Sequence, residues 1–363
     1  MTIRLTESAT LHPLLLPAGA DAAPTDEIRA YADVRNRSLF ETTGRDDDAL
    51  SAAALLPVLY SSRASRKRQW FVMDAGEMVG CMAVDILQDA SADTAIAVIA
   101  LLRSHWRQGI GTAALAVLEA ELRAVGVRTL LSWAEHHGDQ TNSLHAPTGF
   151  GAVPRDSTAE FLADRGFALE QVERASELVW SAETPTRLTR SLSVAQEHAR
   201  DYRVVQWVLP TPLEFVDGYA WMKSRMSTDV PDAELGTPEE VWDAERVAEL
   251  EQRQAAKGFT IQVTAAEHIA SGELCAFNEL AINLGEPAGT THQYDTLVLA
   301  GHRGHRLGTL VKTAGLLGWR DRYPLSPRVI TYNAEENRPM LSINEAIGFA
   351  PISYEGAWKK ELA

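Results

Sequence analysis

Residues 302–309 read His302-Arg303-Gly304-His305-Arg306-Leu307-Gly308-Thr309, and what flanks them decides the fold. Upstream, His292–Leu299 has the content of a strand; downstream, Thr309–Trp319 has apolar residues at helical spacing. A strand that runs through a glycine-containing loop into a helix turns the helix's first unsatisfied N–H groups, with the positive end of its dipole, toward one point. Such a point suits an anion, a pyrophosphate above all. Glycine lets the backbone approach closely, and Arg303 and Arg306 add cationic donors.

The same order of parts occurs twice. After the loop come strand Val329–Asn333, helix Asn337–Ile347, Gly348-Phe349 and a last strand at Trp358, and before it strands Phe259–Ala265 and Glu273–Ile282. Earlier in the chain, strands Gln69–Met73, Met78–Leu87 and Ala95–Leu102 precede the loop Trp106-Arg107-Gln108-Gly109-Ile110-Gly111-Thr112. Helix Thr112–Val125, strand Thr129–Ala134 and a helix leading to Gly166-Phe167 follow, with a final strand ending at Trp180. The pattern predicts an α/β class fold of two fused mixed-sheet domains with helices on both faces. Ser181–Arg200, rich in Thr, Ser and Arg, reads as the join: domains at 1–182 and 201–363, linker at 183–200. Pro238–Lys257 reads as a charged surface helix, and Gly149–Pro154 with Asp156 and Ser157 as an inserted loop.

The chain's 363 residues exceed the size of one ordinary core, and 45% apolar residues suffice for two. No run of about 18 apolar residues exists, so no membrane partner is expected. Met1–Leu16 contains Glu7, His12 and Pro13 without a basic opening, unlike a signal peptide. Cys81 and Cys275 each sit in an apolar run and read as buried free thiols of a cytoplasmic protein. A net charge of −15 argues against nucleic acid as a partner and is compatible with a cationic amine substrate. His136, His137, Asp139 and His145 show no ligand spacing, so no metal is expected. Trp207, Trp221, Met222 and Met226 read as core packing rather than the wall of an acceptor pocket.

With Asn333 and Asn337 after the loop and Gly348-Phe349 ending the next helix, the sequence resembles the GNAT superfamily of N-acetyltransferases. The family's pyrophosphate loop reads Gln/Arg-x-x-Gly-x-Gly/Ala. Arg303 and Gly308 match its ends, while Arg306 stands where the first glycine is usual. In the first half Gly109 and Gly111 match, Trp106 stands at the Gln/Arg position, and Gly166-Phe167 repeats the ending. Two fused copies resemble the arrangement of mycothiol synthase and other actinobacterial tandem acetyltransferases. The resemblance implies acetyl-CoA as co-substrate, held by the 303–309 loop, with Asn337 toward its pantetheine arm and Asn333 a further coenzyme-binding residue. It also implies a splayed strand, here Val298-Leu299-Ala300, whose N–H polarises the thioester carbonyl. In such tandem proteins the second copy is often the active one; the first domain is then degenerate or structural.

Acyl transfer to an amine of pKa near 10.4 needs a proton acceptor. Candidates are His292 and Asp295 on the strand before the loop and Glu279 on the preceding one. Strand alternation would put His292 and Tyr294 on one face and Asp295 on the other. The family's usual acid is a tyrosine four residues before the Gly of Gly-Phe, where this chain has Asn344 and, in the first half, Leu162. Neither donates a proton as tyrosine does. The reading is an acetyl-CoA-dependent N-acetyltransferase for a small amine, catalysed by the C-terminal domain. The missing tyrosine leaves open a non-catalytic acyl-CoA-binding or scaffold protein.

Overall fold

The computed structural model describes residues 2–88, 93–137 and 141–362, in two compact units. The first holds residues 1–172, 234–238 and 355–363; the second holds 173–233 and 239–354. No helix of the described residues is long and apolar enough to cross a membrane.

In the first unit β1 (Ile3–Arg4), β2 (Ala9–Pro13), α1 (Asp26–Thr43) and α2 (Ala52–Leu59) precede β3 (Ser65–Asp74), β4 (Glu77–Leu87) and β5 (Thr94–Leu101). Then come α3 (Ile110–Ala124), β6 (Thr129–His136), a hairpin of β7 (Ser143–His145) and β8 (Ala152–Pro154), α4 (Ser157–Ala163) and β9 (Ala168–Val179). Strands β1 to β5 are neighbours in chain order and pair antiparallel; β6 joins β5 in parallel. α1 and α2 bury Ile28, Tyr31, Leu55 and Leu56 against Phe71 and Cys81, removing large apolar side chains from water at about 1.5–3 kcal/mol each. Asp156, read as loop from sequence, caps α4 by accepting from the N–H groups of Thr158 and Ala159.

In the second unit the end of β9 leads into α5 (Thr184–His198), which occupies the stretch read as a linker. Pro185 is tolerated in its first turn. Leu188, Leu192, Ala195 and Ala199 form a helical stripe packed into the core, a periodicity hidden among Thr, Ser and Arg. β10 (Tyr202–Val208), α6 (Leu213–Asp229), α7 (Ala244–Ala256), β11 (Phe259–His268), β12 (Leu274–Asn283) and β13 (Thr291–Val298) follow. Next are α8 (Leu307–Arg322), β14 (Arg328–Ala334), α9 (Arg338–Ile347) and β15 (Ala350–Glu361). The sheet order is β10-β11-β12-β13-β14-β9, parallel only between β13 and β14. β11 and β12 are buried along nearly their whole length, as strands covered on both faces must be. α8 presses Trp319 into that core, where its indole N–H donates to Thr291 Oγ1 at 2.8 Å. β9 and β15 each change unit along their length, and the far end of β15 lies beside β6 in the first unit. Cys81 and Cys275 are free and buried.

Candidate functional site

β13 and β14 pair only at Thr291–Val329, His292–Ile330 and Gln293–Thr331, although β13 runs on to Val298 and β14 to Ala334. Past Gln293 the pairing stops. On its other edge β13 stays with β12, Thr296 opposite Asn278 and Val298 opposite Ala276, and the Leu299 N–H donates to the Cys275 carbonyl at 2.9 Å. That bond sets the phase: the N–H groups of Thr296 and Val298 face the unpaired edge, whereas that of Leu299 does not. Ala300 opens a 3₁₀ turn, Ala300–His302. The first unit repeats this, with β5 and β6 paired only from Thr94–Thr129 to Ile96–Leu131 and the Leu102 N–H given to Val79.

The two loops then share a design. Arg303 Nε donates to the Val298 carbonyl at 3.4 Å, and the Trp106 indole N–H donates to the Leu101 carbonyl at 2.8 Å. Trp106 therefore anchors its loop as Arg303 does, without the charge. Each loop has two left-handed residues, Gly304 (φ 90°) and Arg306 (φ 56°) in one, Arg107 (φ 61°) and Gly109 (φ 80°) in the other. Arg306, which breaks the glycine pattern, still adopts the conformation glycine would supply, at a cost of about 1–2 kcal/mol. Leu307, Gly308 and Thr309 form the first turn of α8, whose N–H groups have no partner within the helix. A Cβ on Gly308 would sit 2.9 Å from Ile343 Cδ1 and 3.6 Å from Val298 Cγ2; on Gly111, 3.3 Å from Phe161 and 3.6 Å from Leu101. Glycine is what seats each helix start against its strand. Positive-φ turns, free helix N–H groups and arginines together fit a pyrophosphate. The first unit also has a cleft of ≈ 330 Å³ walled by Arg103, Trp106, His137 and the start of α4.

Asn337 caps α9, accepting from the Met340 N–H at 3.4 Å. Asn344 is buried and donates to Asn333 Oδ1 at 2.7 Å. The position of the family's acid is thus filled by an amide tied to a neighbouring amide.

A residue missed in the sequence, Lys223, joins two of the three base candidates. α6 carries Tyr219 and Lys223 one turn apart; that spacing was the available signal. The Tyr219 hydroxyl donates to Glu279 Oε1 at 2.5 Å, and the Lys223 ammonium donates to Glu279 Oε1 at 3.3 Å and to Asp295 Oδ2. The β12–β13 register shifts between Asn278 and Leu280, so Glu279 alone stands against Tyr294 and Asp295. This bulge corrects the simple alternation expected of β13, turning Asp295 to the face of Glu279 and Lys223. The His292 and Tyr294 rings stack at 6.2 Å, and His292 has no part in the Lys223 bonds. Burial pushes the Glu279 pKa up, against the pull of Lys223. Burial also opposes the Lys223 charge, but Asp295 and Glu279 outweigh it and raise its pKa above that of an ordinary lysine. Glu279 is 2% exposed, Lys223 9% and Asp295 34%, so Asp295 is the solvent-facing end of a buried ionic chain. In the first unit β4 and β5 pair without a shift from Gly80–Leu101 to Ile86–Ala95.

Trp207 and Met222 are buried, with Trp207 stacked on Phe215; Trp221 is exposed. His136 is buried between Asp156 and Trp358, His145 is exposed, and Asp139 lies outside the described residues.

Residues 31–150 match the Acetyltransferase (GNAT) family, a match that falls within the first unit. Among curated proteins none matches the chain. A tandem GNAT protein from the clavulanic acid biosynthesis pathway shares 23% identity over 98% of this chain and 99% of its own, with a TM-score of 0.72. A GCN5-related N-acetyltransferase from Sphaerobacter thermophilus shares 14% identity over 99% and 97%, with a TM-score of 0.63. Saccharomyces cerevisiae N-myristoyltransferase with bound myristoyl-CoA shares 9% identity over 99% and 81%, with a TM-score of 0.57. The chain has the tandem GNAT fold, and its residues 31–150 match the GNAT acetyltransferase family.

Proposed function

We propose that the protein transfers an acetyl group from acetyl-CoA to a small cationic amine, with the second unit as the catalytic domain. The observation that carries this reading is the β12–β13 bulge, which presents Asp295 at the open end of β13 with Lys223, Glu279 and Tyr219 behind it. Acetyl-CoA supplies a thioester carbonyl and a thiol leaving group. The 303–309 loop would hold its phosphates, and the Thr296 and Val298 N–H groups would polarise the carbonyl. Asp295 takes one proton of the ammonium, which frees the nitrogen lone pair to bond the carbonyl carbon. As the C–S bond breaks, the nitrogen gives its second proton to water and water protonates the thiolate. The net charge of −15 favours approach of a cation. The free, buried cysteines support a reducing, cytoplasmic setting.

A second reading has the first unit as the catalytic domain, favoured by the position of the family match and by the cleft beside Trp106. One experiment separates the two: free-thiol release with a panel of amines, using Gly308→Glu and Gly111→Glu in the full chain. Each glutamate forces a side chain between the helix start and the residues packed on it, Ile343 and Val298 or Phe161 and Leu101, and so unseats the loop that would hold the phosphates. Loss of turnover in Gly308→Glu with most activity kept in Gly111→Glu supports the first reading; the reverse supports the second. Acetyl-CoA binding without thiol release on any amine would mean a binding or scaffold protein.

A further inference from the structure

Where the phosphate loop of the second unit leaves the sheet, it meets the start of β12. Glu273, Cys275 and His302 converge there, and their ligand atoms all lie within 4.8 Å of one another. Glu273 Oε2 stands 3.7 Å from His302 Nε2. The other ring nitrogen, Nδ1, is engaged by the Tyr202 hydroxyl at 2.9 Å. This is the division of labour seen in metal-binding histidines, where an outer hydrogen bond on one nitrogen fixes the ring and aims the other at the ion. The Cys275 thiol, at the edge of a buried apolar cluster, donates to the Glu273 carbonyl at 3.3 Å. A second imidazole, His268, stands 5.8 Å ring to ring from His302, with its Nδ1 held by Ser271 Oγ at 2.9 Å.

We propose that Glu273, Cys275 and His302 form a binding site for a zinc-type divalent cation. A thiolate, an imidazole and a carboxylate are the donors such an ion takes, and with bonds of about 2.0–2.3 Å their atoms close to roughly 3.3–3.8 Å apart. That is about 1 Å less than the widest spacing here, within reach of side-chain rotation. The fourth position falls to water or to His268. Binding displaces the thiol proton, so the cation gains a Cys–S⁻ bond and releases H⁺ to solvent. The ion would fasten His302, in the turn that opens the phosphate loop, to Cys275, whose carbonyl already accepts from Leu299. Occupancy of the site and acyl-CoA affinity of the loop are then linked.

The test uses the full chain stripped by chelator and titrated with Co²⁺, then with Zn²⁺ in competition. The expected result is one cobalt per chain with a near-ultraviolet thiolate-to-cobalt charge-transfer band, abolished by zinc. Cys275→Ser should remove the band, and His302→Gln, a partly exposed change that spares the core, should weaken binding at least about tenfold. Tyr202→Phe should weaken it by a similar factor, and Cys81→Ser should change nothing. Absence of the band in the parent, or its persistence in Cys275→Ser, overturns the site. If Cys275→Ser unfolds, unchanged cobalt affinity in His302→Gln overturns it equally.

Discussion

Trp106 donates its indole N–H to the carbonyl of Leu101 at 2.8 Å, the bond that Arg303 makes to Val298 in the other loop. The substitution keeps the loop's anchor and drops its charge. Trp106→Arg should therefore leave the first unit folded and raise its acyl-CoA affinity by about tenfold, the worth of one charge-assisted contact. Calorimetry on the Gly308→Glu background isolates that site. Unchanged affinity would mean that the first loop does not meet phosphate.

Arg306 holds a left-handed φ of 56° where Gly109 holds 80°. Replacing Arg306 by Gly should raise unfolding stability by about 1 kcal/mol, through relief of the Cβ clash. It should weaken acyl-CoA binding at the same time, because a cation is lost. Chemical denaturation and calorimetry read the two signs separately; a gain in both would remove Arg306 from the phosphate site.

Asp295→Asn should keep acyl-CoA affinity and lower turnover by about 10²–10⁴, the range of a positioned acid or base. Lys223→Met should destabilise by about 3–5 kcal/mol, since two carboxylates lose their cation. Its pH dependence has a definite sign. Without Lys223 the Glu279 pKa rises further, so the folded state holds a proton that the unfolded state has released. The loss of stability is then smallest in acid and grows as pH climbs above the usual glutamate range. Melting curves of both proteins across pH give the difference directly.

Lys312 on α8 is fully buried, and its Nζ has no hydrogen-bond partner among the described residues; nor do Asn278 Oδ1 and Gln293 Oε1. Burial lowers its pKa to about 7. Between that value and the ordinary lysine range the unfolded state binds the extra proton, so this group makes stability rise with pH. Lys312→Met should be more stable than the parent at pH 7, by on the order of a few kcal/mol. The gap should narrow steadily toward pH 10. A constant gap across that range would show that the amine is charged in the fold.

Turnover should not depend on a displaced tyrosine. Tyr332 lies on β14 beside Asn333, and Tyr354 follows Gly348-Phe349 on β15. Tyr332→Phe and Tyr354→Phe are each expected to stay within about tenfold of the parent, because a thiolate leaves with little help. A thousandfold fall in either, with acyl-CoA still bound, would place the acid there.

The alternation of strands and helices around both loops was legible because glycine and β-branched residues punctuate it. α5 was not: its apolar positions are few, and its polar faces mimic a linker. The loop could be read by type but not by conformation, since only the backbone reveals that Arg306 does a glycine's work and that Trp106 does an arginine's. Asp295 and Glu279 were visible as carboxylates on neighbouring strands. Their union was not, because a one-residue bulge reverses the face of Asp295 and the partner, Lys223, comes from a helix far away in sequence.

β9 and β15 each begin in one unit and end in the other, and residues 355–361 are the neighbours of β6. Assembly order therefore cannot follow synthesis order. While a ribosome is making the second unit, the first still lacks a strand, and β6 waits with one row of backbone donors and acceptors unpaired. A fragment ending near residue 182 would keep that edge open permanently, so neither unit can be lifted out as a contiguous gene segment. Only a rearranged chain, in which residues 355–361 are grafted after the first unit's own sequence, would give it a closed sheet of its own.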